Sequence, residues 1–203
     1  VGSEMCIRDR VSSFNYVQTP TKKLPIYSPS MVSDELVEED LRYVKKYHRI
    51  SDFSLFNQNG ENVTHDNYKN KIYVADFFFT TCPDICPIMT GNMLYLQENL
   101  KNNNDIMLAS FSVTPDVDTV EVLKSYSLEK GVDDSKWNLM TGEKKQIYDL
   151  ARKSFLVAKK IHNEQSHGMI HTENFVLVDK EKRIRGYYDG CLLYTSDAAD
   201  DRM

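Results

Sequence analysis

Short apolar runs alternate with amphipathic stretches through the middle of this chain. Residues 71–79 (KIYVADFFF) are β-branched and aromatic with little alternation, which is typical of a strand buried on both faces. A helix is predicted to follow over residues 86–101, because apolar side chains recur there at helical spacing. These side chains are Met89, Met93, Leu96 and Leu100. The pattern therefore predicts a buried strand that leads almost directly into a helix.

The same alternation continues toward the C-terminus. Asp118 or Thr119 can cap a helix that Gly131 ends, and another helix is predicted over residues 143–155. Before the buried strand, residues 57–60 (NQNG) are a hairpin signal. Further strands are predicted at residues 106–113, 137–140, 174–178 and 184–188. This order predicts an α/β, thioredoxin-like fold, in which helices flank a mixed β-sheet that has an N-terminal β-hairpin.

The two ends of the chain differ from the patterned region. Residues 1–10 and 191–203 carry no periodicity that continues into their neighbours, and they resemble read-through of sequencing adapters. We therefore predict that both are non-native and leave them out of the fold. Residues 11–47 are predicted to be a linker with a short charged helix that begins near Ser33. The folded domain is predicted to span residues 48–190.

The composition suits one domain with flanking segments. The chain has 203 residues, of which 41% are hydrophobic and 27% are charged, and its net charge is -5. This acidic balance offers no basic face for a nucleic acid. No apolar stretch approaches the roughly 18 residues of a membrane span, and no clear signal peptide is present.

Two of the four cysteines carry the candidate chemistry. Cys6 and Cys191 lie in the ends predicted to be non-native, which leaves Cys82 and Cys86 as a close pair. A lone close pair points to redox or metal chemistry rather than to a disulfide framework. The pair lies where the buried strand meets a helix N-terminus, whose N–H groups and dipole lower the pKa of a thiol. Four residues around a turn place the two Cα atoms about 6 Å apart, close enough for a disulfide or a shared metal ion.

Whether the cysteine pair binds a metal ion or exchanges disulfides depends on a third side chain near it. His171 precedes the predicted strand at residues 174–178, which borders the cysteine-bearing strand in a thioredoxin arrangement. Thioredoxin-like reductases place a cis-proline at this position, whereas this chain has no proline after Pro115. Two thiolates and an imidazole suit copper as Cu(I) or Cu(II). His162 and His167 lie in the same polar connection, and His167 is a further candidate ligand.

Three segments resemble the Sco/SenC family of copper-binding proteins. VADFFFTTCPDICPIMT resembles the copper-site segment of the family, a buried strand followed by T-x-C-P-x-x-C-P. SFSVTPDVDTVEVLKSY is similar to the second strand and helix start, and HTENFVLVDKEKRIRGYYDG to the C-terminal histidine, strand, turn and hairpin. The resemblance implies that Cys82 and Cys86 are metal-binding, redox-active thiols and that His171 is the third ligand. One departure is Ile170, where the family often has an aspartate.

The resemblance also implies a role. Members of this family deliver copper to the binuclear copper site of cytochrome c oxidase. The implied protein is a metallochaperone that meets the copper-site subunit of the oxidase and exchanges copper or electrons with other thiol-redox or copper-carrier proteins. Such proteins are found on the periplasmic face of the bacterial inner membrane or on the mitochondrial inner membrane. They are tethered there by an N-terminal anchor, which we expect to lie outside this sequence.

Three other interpretations stay open from the residues alone. A thiol–disulfide oxidoreductase acting on protein cysteines would use the same pair, although the missing proline and the presence of His171 argue against it. A peroxiredoxin would need a proline a few residues before its cysteine, and residues 72–79 contain none. A zinc site built from two cysteines and a histidine lacks an evident fourth ligand.

Overall fold

A seven-stranded mixed sheet organises the residues that this computed structural model describes, namely 23–46, 48–158 and 172–192. The strands are β1 (Ser54–Asn57), β2 (Asn62–Thr64), β3 (Ile72–Phe78), β4 (Ile106–Ser112), β5 (Trp137–Thr141), β6 (Asn174–Val178) and β7 (Ile184–Asp189). Their order across the sheet is β2-β1-β5-β4-β3-β6-β7. The central strands β3, β4 and β5 are parallel, whereas β1 and β6 pair antiparallel with the strands beside them.

Three helices connect the strands of the described residues. They are α1 (Ile85–Leu100), α2 (Val120–Lys130) and α3 (Lys144–Asp149), which continues as a π-helical turn, Leu150–Ser154. The Thr119 side chain caps α2, and Gly131 ends it at a φ of 79°. These elements confirm the thioredoxin-type α/β prediction, including the N-terminal hairpin. Within the described part of the chain, no helix combines the length and apolarity needed to cross a bilayer.

Strand β3 is buried because both of its faces are covered. On one face the Phe77 ring stacks on Phe111, with ring centroids 5.2 Å apart, and packs edge-on against Phe155 at 5.4 Å. On the other face Phe78 packs against Tyr126 of α2 at 5.9 Å. A strand covered in this way has no solvent face on which polar residues would alternate, which explains its nearly continuous apolar sequence.

The lead-in to the domain differs from the predicted linker and helix. Residues 33–46 form turns, and the short helix of this segment is a 3₁₀ turn at Pro29–Met31. The Arg42 guanidinium donates hydrogen bonds to the carbonyl oxygens of Asp34 and Val37, which holds these turns. Since Val37 is the only fully buried residue between 31 and 46, the segment lacks the apolar face that would stabilise so short a helix.

The first described residues lie along the outer edge of β7. The Tyr27 N–H donates to the carbonyl oxygen of Ile184 at 2.9 Å, and the Arg185 guanidinium donates to the carbonyl oxygens of Leu24 and Pro25. The Tyr27 ring also packs edge-on against Tyr187. This segment therefore covers an edge strand whose backbone groups would otherwise lack partners.

A buried histidine makes the stability of this fold depend on pH. His65 is 4% exposed and packs against Phe53 and Tyr73, and its Nδ1 atom has no hydrogen-bond partner among the described residues. Burial, with a smaller contribution from Lys182, lowers the pKa of His65 from 6.5 to about 4. The folded protein therefore holds this imidazole neutral at pH values where the unfolded chain protonates it.

We expect the free energy of unfolding to decrease as the pH falls from 6.5 to 4. In this window the unfolded state binds a proton that the folded state does not, so the decrease due to His65 is up to about 3 kcal/mol. Urea unfolding at a series of pH values measures it. His65→Phe is the control, because other groups also titrate in this range, and identical pH profiles for both proteins would contradict the prediction.

Candidate metal centre

The candidate site lies at the carboxyl ends of the parallel strands. Strand β3 ends at Phe78, and a short loop carries Cys82 before Cys86 enters the first turn of α1. The Cys82 N–H donates to the carbonyl oxygen of Phe79 at 3.3 Å, which closes a turn directly after the strand. Ligand sites of open α/β sheets form at this edge, because the loops that follow the strands converge there.

The sulfur of Cys82 takes the place of a helix cap. Asp84, at the N-cap position of α1, makes no capping hydrogen bond with its side chain. Instead, the backbone N–H groups of Asp84, Ile85 and Cys86 donate to the Cys82 sulfur. Burial alone would raise the pKa of Cys82, but these donors and the Cys86 thiol outweigh burial, so the pKa is lowered. The first turn of α1 thus stabilises a thiolate at Cys82.

The pKa of Cys86 shifts in the opposite direction. Burial raises its pKa to about 12, and the hydrogen bond to Cys82 and the nearby charges of Cys82 and Asp76 act in the same direction. The backbone N–H of Phe79 opposes this only in part. In the metal-free pair the lower pKa therefore belongs to Cys82, whose sulfur accepts a hydrogen bond from the thiol of Cys86. Neither cysteine forms a disulfide in the structure.

A carboxylate beneath the pair was not identified from the sequence. Asp76 of β3 is 2% exposed and lies opposite Ser110 of β4, whose hydroxyl also accepts a 2.8 Å hydrogen bond from Trp137 Nε1. Burial raises the pKa of Asp76 to about 7, although the hydrogen bond with Ser110 lowers it. The signal in the sequence was a single acidic residue within an otherwise apolar strand.

A second buried carboxylate holds the cysteine loop. Of the two candidate caps of α2, Asp118 and Thr119, the cap is Thr119. The Asp118 side chain is fully buried and accepts hydrogen bonds from Thr80, Ser112 and Thr114. Thr80 lies two residues before Cys82, so this carboxylate connects the loop of the site to the end of β4.

The predicted histidine ligand is not among the described residues. His171 lies outside the described ranges, as do His162 and His167. In the part of the chain that is described, no group of three or more histidine, cysteine, aspartate or glutamate side chains is arranged to hold a metal ion. The structure thus brings together two of the three predicted ligands, Cys82 and Cys86.

A third described cysteine differs from this pair. Cys191 is half-buried, and burial together with the charges of Asp189, Glu173 and Asp84 raises its pKa. It therefore has little thiolate character, and it belongs to the C-terminal residues that we predict to be non-native. The donor chemistry that remains, one stabilised thiolate and one thiol beside it, suits a soft ion such as copper.

Solved structures share this arrangement of sheet and helices. A SCO1/SenC family lipoprotein from Bacillus anthracis is 36% identical, with a TM-score of 0.62 over 70% of this chain and 85% of its own. BsSco, a member of the Sco family of cytochrome c oxidase assembly proteins in which a disulfide switch was identified, is 34% identical, with a TM-score of 0.60 over 71% and 84%. Arabidopsis thaliana ScoI with copper bound is 27% identical, with a TM-score of 0.55 over 68% and 86%.

The sequence also matches a family model. The model described as SCO1/SenC matches residues 42–200, which is most of the chain. The match begins in the lead-in and extends beyond Gly190, so the non-native origin of the C-terminal tail stays a prediction. Because the matched region contains the whole sheet and the paired cysteines, the chain belongs to the SCO1/SenC family.

Proposed function

We propose that this protein is a copper metallochaperone that binds one copper ion through Cys82, Cys86 and His171 and delivers it to the binuclear copper site of cytochrome c oxidase. The observation that carries the proposal is the hydrogen-bonded pair Cys82–Cys86 at the N-terminus of α1, in a chain of the SCO1/SenC family. A relative with copper bound supports the metal, and BsSco, from a family of oxidase assembly proteins, supports the role.

The two thiols contribute differently to binding. The first turn of α1 lowers the pKa of Cys82, whereas burial raises that of Cys86, which must lose its proton before it can act as a ligand. Copper uptake should therefore release the Cys86 proton, so that the apparent affinity for copper rises with pH. Both cysteines are buried among largely apolar residues, which favours a soft ion over a hard one.

The position of β6 supports His171 as the third ligand. Strand β6 runs antiparallel to β3, so its first residue, Asn174, lies at the end of the sheet where β3 leads into the cysteine loop. Thr172, the described residue nearest to His171, is buried, and its hydroxyl oxygen accepts hydrogen bonds from both the backbone and the side chain of Asn174. The chain therefore reaches the cysteine end of the sheet directly after His171.

The partner and location follow from the proposed role. The acceptor is the copper-site subunit of cytochrome c oxidase, and copper arrives from other copper-carrier or thiol-redox proteins. We place the protein on the periplasmic face of the bacterial inner membrane, attached by an N-terminal anchor. The Bacillus anthracis relative, a lipoprotein, supports membrane attachment.

The unequal thiols also favour a second candidate function, that of a thiol–disulfide oxidoreductase. A lowered pKa at Cys82 and a raised pKa at Cys86 are the arrangement expected of an attacking thiolate and a resolving thiol. A disulfide between them would remove both thiolate ligands, so the oxidation state of the pair also decides whether copper can bind. The reported disulfide switch of BsSco is consistent with this link.

We expect the reduced protein to bind one tight Cu(I) per chain in an anaerobic titration against a competing chelator. Cys82→Ser or Cys86→Ser should abolish tight binding, and His171→Ala should weaken it, because each removes one ligand of the soft donor set. Cys191→Ser and His162→Ala are the matched controls and should leave the affinity unchanged. Weak binding by the unaltered protein, or binding that does not respond to His171→Ala, would contradict the three-ligand site.

In the reduced, metal-free protein we expect Cys82 to react with iodoacetamide faster than Cys86 between pH 6 and 9. The reason is that the pKa is lowered at Cys82 and raised by burial at Cys86, although the two residues are only 7% and 3% exposed. Tandem mass spectrometry assigns the modified sulfur at each pH. Equal rates at both cysteines, or faster modification of Cys86, would show that the pair is not polarised as described.

A further inference from the structure

The Asp118 carboxylate is fully buried and accepts four hydrogen bonds. Its Oδ1 atom accepts from the Thr80 hydroxyl at 2.5 Å. Its Oδ2 atom accepts from the Thr80 backbone N–H at 3.2 Å, the Ser112 hydroxyl at 2.6 Å and the Thr114 hydroxyl at 3.1 Å. A buried carboxylate is costly unless its oxygens are satisfied, so this cluster holds its donors in defined positions.

The residues that donate to Asp118 belong to two separate segments of the chain. Ser112 and Thr114 lie at the end of β4 and in the loop that follows it, near Asp118 in the chain. Thr80 lies 38 residues away, in the loop that carries Cys82. It is the only one of the three donor residues that binds the carboxylate with both its backbone and its side chain.

The sheet does not need the contact with Thr80. The ends of β3 and β4 are already joined by a hydrogen bond of 2.9 Å from the Val113 N–H to the Phe78 carbonyl oxygen. Within the loop that follows Phe78, the Cys82 N–H donates to the Phe79 oxygen at 3.3 Å. The two bonds from Thr80 to Asp118 attach the start of this loop, before Cys82, to the segment that follows β4.

We propose that Asp118 is a positioning residue for the thiol pair, acting through Thr80. It places the Cys82 sulfur within reach of the N–H groups of α1 and of the Cys86 thiol. For copper affinity this inference rests on the proposed function, whereas for the redox properties of the pair it does not. Asp118 contacts neither sulfur in this arrangement, so its effect passes through the backbone between residues 80 and 82.

The test compares two identical chemical changes, Thr80→Val and Thr114→Val. Each removes one hydroxyl that donates to Asp118 and keeps a β-branched side chain, but only Thr80 lies in the cysteine loop. We expect Thr80→Val to lower the Cu(I) affinity by about tenfold or more, as loss of a group that orients a ligand commonly does. Thr114→Val should lower the Cu(I) affinity by less than about threefold. The two variants should change Tm by similar amounts.

A metal-free measurement accompanies the titration. The equilibrium constant of the Cys82–Cys86 pair with a glutathione redox buffer should change about tenfold in Thr80→Val, which corresponds to about 30 mV, and should be unchanged in Thr114→Val. If the unaltered protein fails to bind Cu(I), the proposed function fails and this redox comparison still decides the role of Asp118. Equal effects of the two valine variants on both readouts would overturn the positioning role.

Asp118→Asn completes a double-mutant cycle with Thr80→Val. If Asp118 acts through Thr80, the double variant should have the affinity and redox equilibrium of the more affected single variant rather than the product of both changes. Independent, multiplicative effects would contradict the coupling. If Asp118→Asn does not fold, as shown by circular dichroism, the comparison of the two valine variants remains decisive.

Discussion

The chemistry of this molecule depends on the hydrogen bonds that the first turn of α1 donates to the sulfur of Cys82. A helix N-terminus always presents N–H groups that lack partners within the helix. In most helices a serine, threonine or aspartate side chain accepts them, but here Asp84 does not, and the sulfur does. The N–H groups that lack a side-chain cap are therefore the groups that lower the pKa of the Cys82 thiol.

The rest of the fold holds the Cys82 sulfur against the first turn of α1. Parallel pairing of β3 with β4 brings two loops to the same edge of the sheet, and aromatic side chains on both faces of β3 hold the strand between its layers. Asp118 then attaches the first of these loops to the second. Because the carboxylate is buried, a shift of the loop that carries Thr80 would deprive Oδ1 of its donor, the Thr80 hydroxyl, which is costly in the interior.

Much of this architecture was predictable because it depends on local patterns. The apolar run before Cys82, the hairpin signal at residues 57–60 and the stop at Gly131 each specify their element without reference to distant residues. The roles of Asp76 and Asp118 were not predictable, because they depend on which residue of β4 lies opposite each residue of β3. Periodicity identifies a strand but not its register with a neighbour, and the contact between Thr80 and Asp118 exists only in one register.

The segment that lies along β7 contacts the end of the sheet opposite the thiol pair. Strands β6 and β7 form an antiparallel pair, and β6 is antiparallel to β3, so the start of β7 lies at the end of the sheet away from the cysteines. Tyr27 is bonded to Ile184 at that distant end, and Arg185 beside it holds the carbonyl oxygens of residues 24 and 25. The described chain therefore enters the domain opposite the thiol pair. Among the described residues, the contacts of the lead-in segment with β7 and the two sulfurs therefore lie at opposite ends of the sheet.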